Sequence, residues 1–304
     1  MKEQKEKRKS TAVALGFFDG VHLGHKEVIN SMLKTAQEDN LTSLVYTFKD
    51  NPLAAFGKSV PFITTNKERA SLLKGMGVDL VVEDDFLNIK DLSPEEFVKN
   101  ILVNRFSAKK VFCGFNYHFG KGGKGDSKIL QKLCNKYGID VFVIAPVIVK
   151  DAPVSSTRIR NLLQKGSIEE ANFLLDHKFG FSSIIEEGNH IGRLMETPTI
   201  NQSLPDNMIL PAFGVYTTGV TIDKKLYVGV TNIGVKPTVG EYAPLSETWL
   251  PKYVGGNLYG KKIDVRLLCF HRPERKFDTF EELEAAIKKD GKLAVENFKR
   301  FASE

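Results

Sequence analysis

At 304 residues the chain holds about two domains' worth of sequence. With 42 % hydrophobic and 26 % charged residues, and ordinary glycine and proline counts, it falls outside the disordered, collagen-like and low-complexity classes. The formal net charge of +6 suits anionic partners, small phosphorylated ligands as much as nucleic acid.

Elements follow in chain order. Thr11–Phe17 reads as a short buried strand, followed by a Gly-containing turn and a helix over Lys26–Glu38. Leu44–Phe48 is a second strand, Asn66–Met76 a second helix and Asp79–Val82 a third strand. Ser93-Pro94-Glu95-Glu96 is a helix start with a serine cap, proline in the first turn and acids behind it. Lys110–Cys113 and Asp140–Ile144 complete the strands, and a helical segment over Ile168–Leu175 leads out of this half. Strands alternating with helices predict an α/β unit, a doubly wound parallel sheet of Rossmann-like type. Ligands of such folds lie at the carboxyl ends of the strands.

Beyond Phe179 the texture becomes β-rich, with Phe213–Ile222, Lys225–Ile233 and Lys262–Phe270 as strands and Asp223-Lys224 as a hairpin connection. The pattern predicts a small antiparallel β-barrel closed by helical segments over Thr279–Lys289 and Lys292–Phe301. The expected division is 11–175 and 180–304. No apolar run reaches the roughly 20 residues of a membrane span, and Met1–Ser10 lacks the apolar core of a secretory signal. Cys113, Cys134 and Cys269 show no metal spacing and give no disulfide framework, so a cytoplasmic location is expected. The basic run Lys2, Lys5, Lys7, Arg8 and Lys9 reads as a solvated tail, and without a zinc-finger or RNP-like motif no nucleic-acid partner is expected.

Two constellations carry chemistry. The first is Gly16-Phe17-Phe18-Asp19-Gly20-Val21-His22-Leu23-Gly24-His25, a strand running through a Gly-containing turn into a helix. Small residues allow close approach of a phosphate, and the helix start supplies free N–H donors and a positive dipole end. Two of the six histidines, His22 and His25, stand at this turn, where imidazoles donate to phosphate oxygens. The second is Val154-Ser155-Ser156-Thr157-Arg158-Ile159-Arg160. Its hydroxyls suit helix caps, whereas two arginines sit badly in a first helical turn unless an anion is bound there. Hydroxyls, N–H groups and guanidinium forks together match a polyphosphate.

The HxGH turn resembles the nucleotidyltransferase superfamily, and the pair GFFDGVHLGH and VSSTRIR is similar to the bacterial bifunctional riboflavin kinase/FAD synthetase family. Supporting segments run in order from Thr47-Phe48 and Asn51-Pro52, through Gly114–Gly120 and Gly125-Asp126, to Pro198–Asn201, Asn232–Gly234, Glu247-Thr248 and Arg272–Glu274. The resemblance implies an N-terminal FMN adenylyltransferase that joins FMN to the α-phosphate of ATP, releasing pyrophosphate and forming FAD. It implies His22, His25 and Arg160 as catalytic residues. Gly16, Phe17, Asp19, Gly24, Ser155, Ser156 and Thr157 fall on the ATP-phosphate side, with Arg158 the weaker of the two arginines. Asn51, Asn116 and Tyr117 fall on the flavin side, and Phe56, Phe62 and Phe115 are further aromatic candidates for stacking. In the second half it implies a riboflavin kinase barrel with Glu247 as base and Thr199 and Asn201 on Mg²⁺. The implied ligands are ATP, Mg²⁺, riboflavin, FMN and FAD, with no membrane partner; the oligomeric state is open.

Departures from the family pattern are Asn51 in place of a histidine, His118 in place of an arginine, and the stretch Met195-Glu196-Thr197 in place of Leu-Gly-Phe. Ile200 enlarges an alanine, and Trp249 takes a position where a smaller or imidazole side chain is common. Two unit charges about 4 Å apart repel by ~4 kcal/mol at an effective dielectric of ~20. A Glu196 facing the nucleotide therefore predicts a weakened or lost kinase half. A fully bifunctional enzyme is the first alternative, a flavin-binding regulatory protein without catalysis the second.

Overall fold

The computed structural model describes residues 10–186, 199–238 and 241–302. The chain divides into two compact units, Met1–Ser156 and Thr157–Glu304.

The first unit is built on a five-stranded parallel sheet in the order β3-β2-β1-β4-β5. Its strands are β1 (Thr11–Leu15), β2 (Thr42–Phe48), β3 (Leu80–Asp84), β4 (Ala108–Gly114) and β5 (Asp140–Ile144). β1 carries no polar alternation because every one of its residues is buried, the mark of a strand covered on both faces. Ala12 and Ala14 face helix α1 (Leu23–Glu38) through Val28, Ile29 and Met32. Val13 and Leu15 face the opposite layer, with Phe97, Phe106 and Leu130. The other helices are α2 (Asn66–Gly75), α3 (Pro94–Glu96, continuing as a wide π-type helix over Phe97–Arg105) and α4 (Ser127–Asn135). The expected Ser93 cap is present as a full capping box with Glu96.

The chain winds outward from β1 to β3 and returns through β4 and β5, so strand order reverses between β1 and β4. In open sheets the crevice outside the carboxyl ends of such a strand pair is the binding position. The loops at that position are Gly16–His22 after β1 and Phe115–Asp126 after β4. A short ribbon, β6 (Ile148–Val149) with β7 (Ala152–Pro153), follows β5.

The second unit contains α5 (which begins at Ser156 and runs to Gln164), α6 (Ile168–Leu175) and a nearly closed antiparallel barrel. The barrel order is β8-β13-β10-β11-β12-β9, with strands β8 (Gly180–Ile184), β9 (Thr199–Ser203), β10 (Gly214–Ile222), β11 (Lys225–Thr238), β12 (Glu241–Trp249) and β13 (Lys262–Pro273). A bridge between Glu186 and Asn201 draws the two edges together. Buried Asn172 of α6 clips helix to barrel, donating to the Leu267 carbonyl at 2.9 Å and accepting from the Phe179 N–H at 2.7 Å. Asp223 and Lys224 form the expected hairpin turn, both with positive φ (48° and 66°), as a primed two-residue turn requires.

Two helical segments were expected at the C-terminus, and one continuous helix is found, α7 (Phe280–Ala302). It lies on the sheet face that carries Val215, Val228 and Val230, meeting them with Ala294, Val295 and Phe298. β6, β7, β8, β9, β12 and α4 are additional to the elements expected from the sequence. The compact-unit boundary places α6 with the barrel, whereas the sequence reading assigned it to the first half.

Candidate active sites

The first site grows from the end of β1. Phe18 and Val21 adopt positive φ (54° and 39°), and Gly20 turns with φ 81°, so the chain folds back tightly before α1. Gly16 admits the Phe18 ring: a Cβ there would lie 2.8 Å from the ring edge. Thr47 at the end of β2 donates to the Phe17 carbonyl at 2.9 Å, and Gly20 N–H donates to Thr64 Oγ1 at 3.1 Å.

α1 starts three residues earlier than expected because His22 caps it. His22 Nδ1 accepts from the His25 backbone N–H at 3.3 Å. An imidazole nitrogen that accepts there carries no proton, so the ring hydrogen sits on Nε2. The two imidazoles lie stacked, centroids 3.5 Å apart at 17°, and His25 meets the Phe18 ring edge-on at 5.3 Å. A cap, a stack and an aromatic edge hold both rings at a helix N-terminus, where backbone dipoles favour negative charge.

Asp19 anchors the turn. It is 1 % exposed, and its carboxylate accepts from the N–H groups of Ile63 and Thr64 at 2.9 to 3.2 Å. Phosphate would meet repulsion there, so the residue tethers the 61–64 loop to the turn. Its carbonyl accepts from Ser156 Oγ at 3.0 Å, which joins the first helical residue of the second motif to the first motif. Thr157 is exposed and Ser155 half-buried. Arg158 pairs with Glu170 of α6 at 3.1 Å, which directs it to a structural ion pair. Arg160 lies one turn along α5 from Ser156, on the same helical stripe.

Of the flavin-side residues, Asn51 caps the short helical turn Pro52–Phe56, its Oδ1 accepting from Leu53 N–H at 3.0 Å. Asn116 is exposed on the loop after β4, where the His118 ring closes the turn onto its carbonyl at 3.0 Å. The Tyr117 ring stacks on Phe119 at 5.9 Å and packs on the core, and burial pushes its hydroxyl well above the ordinary range. Phe62 leans on Phe17 at 5.9 Å, while Phe56 and Phe115 stay 58 % and 51 % exposed. The exposed pair, not Tyr117, offers open rings.

Sequence reading did not single out Arg69. It is fully buried at the carboxyl ends of β2 and β3, where Nη2 donates to the Phe48 carbonyl at 2.6 Å and Glu83 at 2.7 Å. Its guanidinium covers the Phe17 ring at 4.9 Å. A buried cation of this kind is tolerated only when paired, and α2 gives no periodic signal that would have marked it. Burial pushes the thiols of Cys113, Cys134 and Cys269 up to about 12, which disfavours the reactive thiolate.

The second site lies in the barrel unit. Register places Asn201 of β9 opposite Glu247 of β12, and Glu247 opposite Asn232 of β11. Thr199 pairs with Trp249 two residues along the same face. Asn201 is 5 % exposed and its Oδ1 has no hydrogen-bond partner among the described residues, an orphaned oxygen that fits a hard cation. Asn232 donates to Glu274 at 2.9 Å, adding a carboxylate to the row. Glu196 and Thr197, on which the expectation of a weakened kinase half rests, lie outside the described residues. Among the described residues no group of three or more His, Cys, Asp or Glu side chains could hold a metal ion. No described helix is long and apolar enough to cross a membrane.

Comparison with known proteins places a different enzyme family on each half of the chain. The FAD synthetase family matches residues 4–158 and the riboflavin kinase family residues 175–298. The chain is 32 % identical over 301 residues to the bifunctional riboflavin kinase/FMN adenylyltransferase of Bacillus subtilis (strain 168), covering 97 % of this chain and 94 % of that one. The protein of the same description from Escherichia coli (strain K12) is 32 % identical over 290 residues, with 94 % and 92 % covered. A crystal structure described as a macrolide-efflux protein from Streptococcus pneumoniae superposes with a TM-score of 0.86 at 30 % identity over 94 % of both chains.

Proposed function

The chain belongs to the bifunctional riboflavin kinase/FMN adenylyltransferase family of enzymes, and from that premise we propose how its two sites divide the work. The FMN adenylyltransferase reaction belongs to 11–175 and the riboflavin kinase reaction to 180–304. In the first, an oxygen of the FMN phosphate attacks the α-phosphorus of ATP. The bond from that phosphorus to the β-phosphate oxygen breaks, pyrophosphate leaves, and FAD forms.

The observation that supports this reading is the stacked His22–His25 pair at the start of α1. His22 Nε2–H and the His25 ring donate to non-bridging phosphate oxygens, where charge builds as the in-line displacement proceeds. The positive dipole end of α1 adds to this field, and Gly24 keeps the backbone close enough to be felt. Ser155, Ser156, Thr157 and Arg160 hold the β and γ phosphates and the departing pyrophosphate. Asp19 acts at one remove, by fixing the turn. Asn116 with the open rings of Phe56 and Phe115 holds the flavin.

In the barrel, Glu247 takes the proton of the riboflavin 5′-hydroxyl as its oxygen attacks the γ-phosphorus of ATP; the bond from that phosphorus to the β-phosphate oxygen breaks, ADP leaves and FMN forms. Mg²⁺, when bound with ATP, neutralises phosphate charge; Thr199 and the orphaned Asn201 Oδ1 are the residues that fit it. In the adenylyltransferase half the ion would be held by phosphate oxygens and water. The reaction has its place in the cytoplasm, with ATP and flavins as the only partners required.

A second reading has adenylyl transfer retained and phosphorylation weakened. It rests on Glu196 and Thr197 standing where the family pattern has glycine and phenylalanine. One experiment separates the two: purified protein with ATP and Mg²⁺ receives either riboflavin or FMN, and the flavins are separated by chromatography. FMN and FAD from riboflavin establish the bifunctional reading. FAD from FMN alone establishes the weakened kinase, with Glu196→Gly as the first reversion. No product from either flavin overturns both.

A further inference from the structure

The sheet face that carries Thr199, Asn201 and Glu247 carries one more large side chain. Trp249 stands directly opposite Thr199 on the neighbouring strand and two residues from Glu247. Alternate residues of a strand share a face, about 7 Å apart, so the indole borders the same space as the proposed base. It is the only tryptophan in the chain.

The outer ring of the indole reaches α7. A Cβ built on Gly291 would lie 2.4 Å from Trp249 Cζ3 and 2.8 Å from Cη2, closer than such atoms can approach. Gly291 is buried within a helix of 23 residues, where glycine weakens the helix. The missing side chain is therefore a notch, and the indole fills it. Around the pair, Val230 lies opposite Trp249 on β11, and Val215, Val228 and Ala294 complete an apolar seat. On the other side of the indole the neighbours are polar: Thr199 across the ladder and Glu247 along the strand. Ordinary core packing would enclose the ring in apolar groups on all sides.

We infer that Trp249 is a positioning residue of the phosphoryl-transfer site, seated in the Gly291 notch so that α7 holds β12, and with it Glu247 and Thr199, in place. The inference rests on the kinase reading of the second unit. It also accounts for the bulky residue at position 249, whose ring packs on a glycine at 291.

The test uses full-length protein and three variants: Gly291→Ala, Trp249→Phe, and both together. The added methyl of Gly291→Ala meets ring atoms that phenylalanine lacks, so the double variant restores the fit. Riboflavin phosphorylation, FMN adenylylation and the emission of Trp249 during titration with Mg²⁺–ADP are read on each preparation that carries the fluorophore. Gly291→Ala is expected to lose riboflavin phosphorylation about tenfold or more, since sub-ångström misplacement near reacting groups is costly. Its FMN adenylylation stays within about twofold, the double variant regains most of the phosphorylation, and the emission change on Mg²⁺–ADP seen in the unaltered protein shrinks in Gly291→Ala. Parallel loss of both activities, unchanged phosphorylation, or no recovery in the double variant overturns the inference while leaving the kinase reading intact. An unaltered protein that makes no FMN from riboflavin overturns the kinase reading, and the inference with it.

Discussion

Gly24→Ala is the sharpest perturbation of the first site. A Cβ at position 24 would stand 3.3 Å from His22 Cε1, 3.4 Å from His22 Nδ1 and 3.6 Å from the Val154 carbonyl. The carbonyl contact is ordinary, so the strain falls on the imidazole, which must yield by a few tenths of an ångström. It has little freedom to do so. Its Nδ1 holds the His25 N–H at 3.3 Å, and its face is stacked on His25 at 3.5 Å. Any shift therefore moves both rings relative to the bound phosphates. Alanine is the better helix former by up to about 1 kcal/mol, so the fold itself does not suffer. The expected result is an unchanged or slightly raised melting temperature with FMN adenylylation reduced about tenfold, a fraction of the hundredfold cost of a full 1 Å error. The assay is FAD formation at saturating ATP, with riboflavin phosphorylation in the same sample as control. A Gly24→Ala protein that makes FAD at the unaltered rate refutes the argument that these rings must sit where they do.

Three further outcomes are expected. Asp19→Ala leaves the Ile63 and Thr64 N–H groups without their buried acceptor, costing about 1 to 3 kcal/mol in urea unfolding and lowering FAD formation; an unchanged midpoint contradicts the anchoring role. Burial alone would raise the Asp290 carboxyl, but His271 and Arg272 outweigh it and hold the group below the ordinary range. A depressed carboxyl contributes stability that is complete above its unfolded value near about 4 and lost as pH falls through the folded one. Asp290→Asn should thus lose less stability than the unaltered protein between about pH 6 and pH 3, followed by circular dichroism, and an identical acid profile would contradict this. Glu247→Gln is expected to lower FMN formation from riboflavin by about 10² to 10⁴ while FAD formation from FMN persists, and equal loss of both would reject the assignment of the base.

Much of the first unit was legible because its signals are local. A wholly apolar β1 requires cover on both faces, and that cover is found. Two histidines after a Gly-containing turn need only the turn itself to meet, so HxGH could be read directly. What escaped depends on contacts distant in sequence. Asp19 looks like part of a phosphate turn until Ile63 and Thr64 arrive to occupy it. Tyr117 sits in a loop motif, yet Phe119 and the core claim its ring. Arg158 belongs to a basic motif, and only the packing of α6 supplies Glu170. β12 carries Glu-Thr-Trp in a run whose alternation is blurred, since its two faces meet a polar threonine row and a functional row. The expected helical segments left Gly291 between them, and the Trp249 ring that packs on it comes from a strand distant in the chain.

The central claim is that the imidazole pair at the start of α1 carries adenylyl transfer. ATP labelled at the α-phosphorus, incubated with FMN and either the unaltered protein or His25→Ala, tests it most directly. Label is expected in FAD from the unaltered protein and in no protein-bound species. In His25→Ala labelled FAD is expected to fall by about 10² or more, with melting unchanged and riboflavin phosphorylation retained. Labelled FAD formed by His25→Ala at the unaltered rate would contradict the claim.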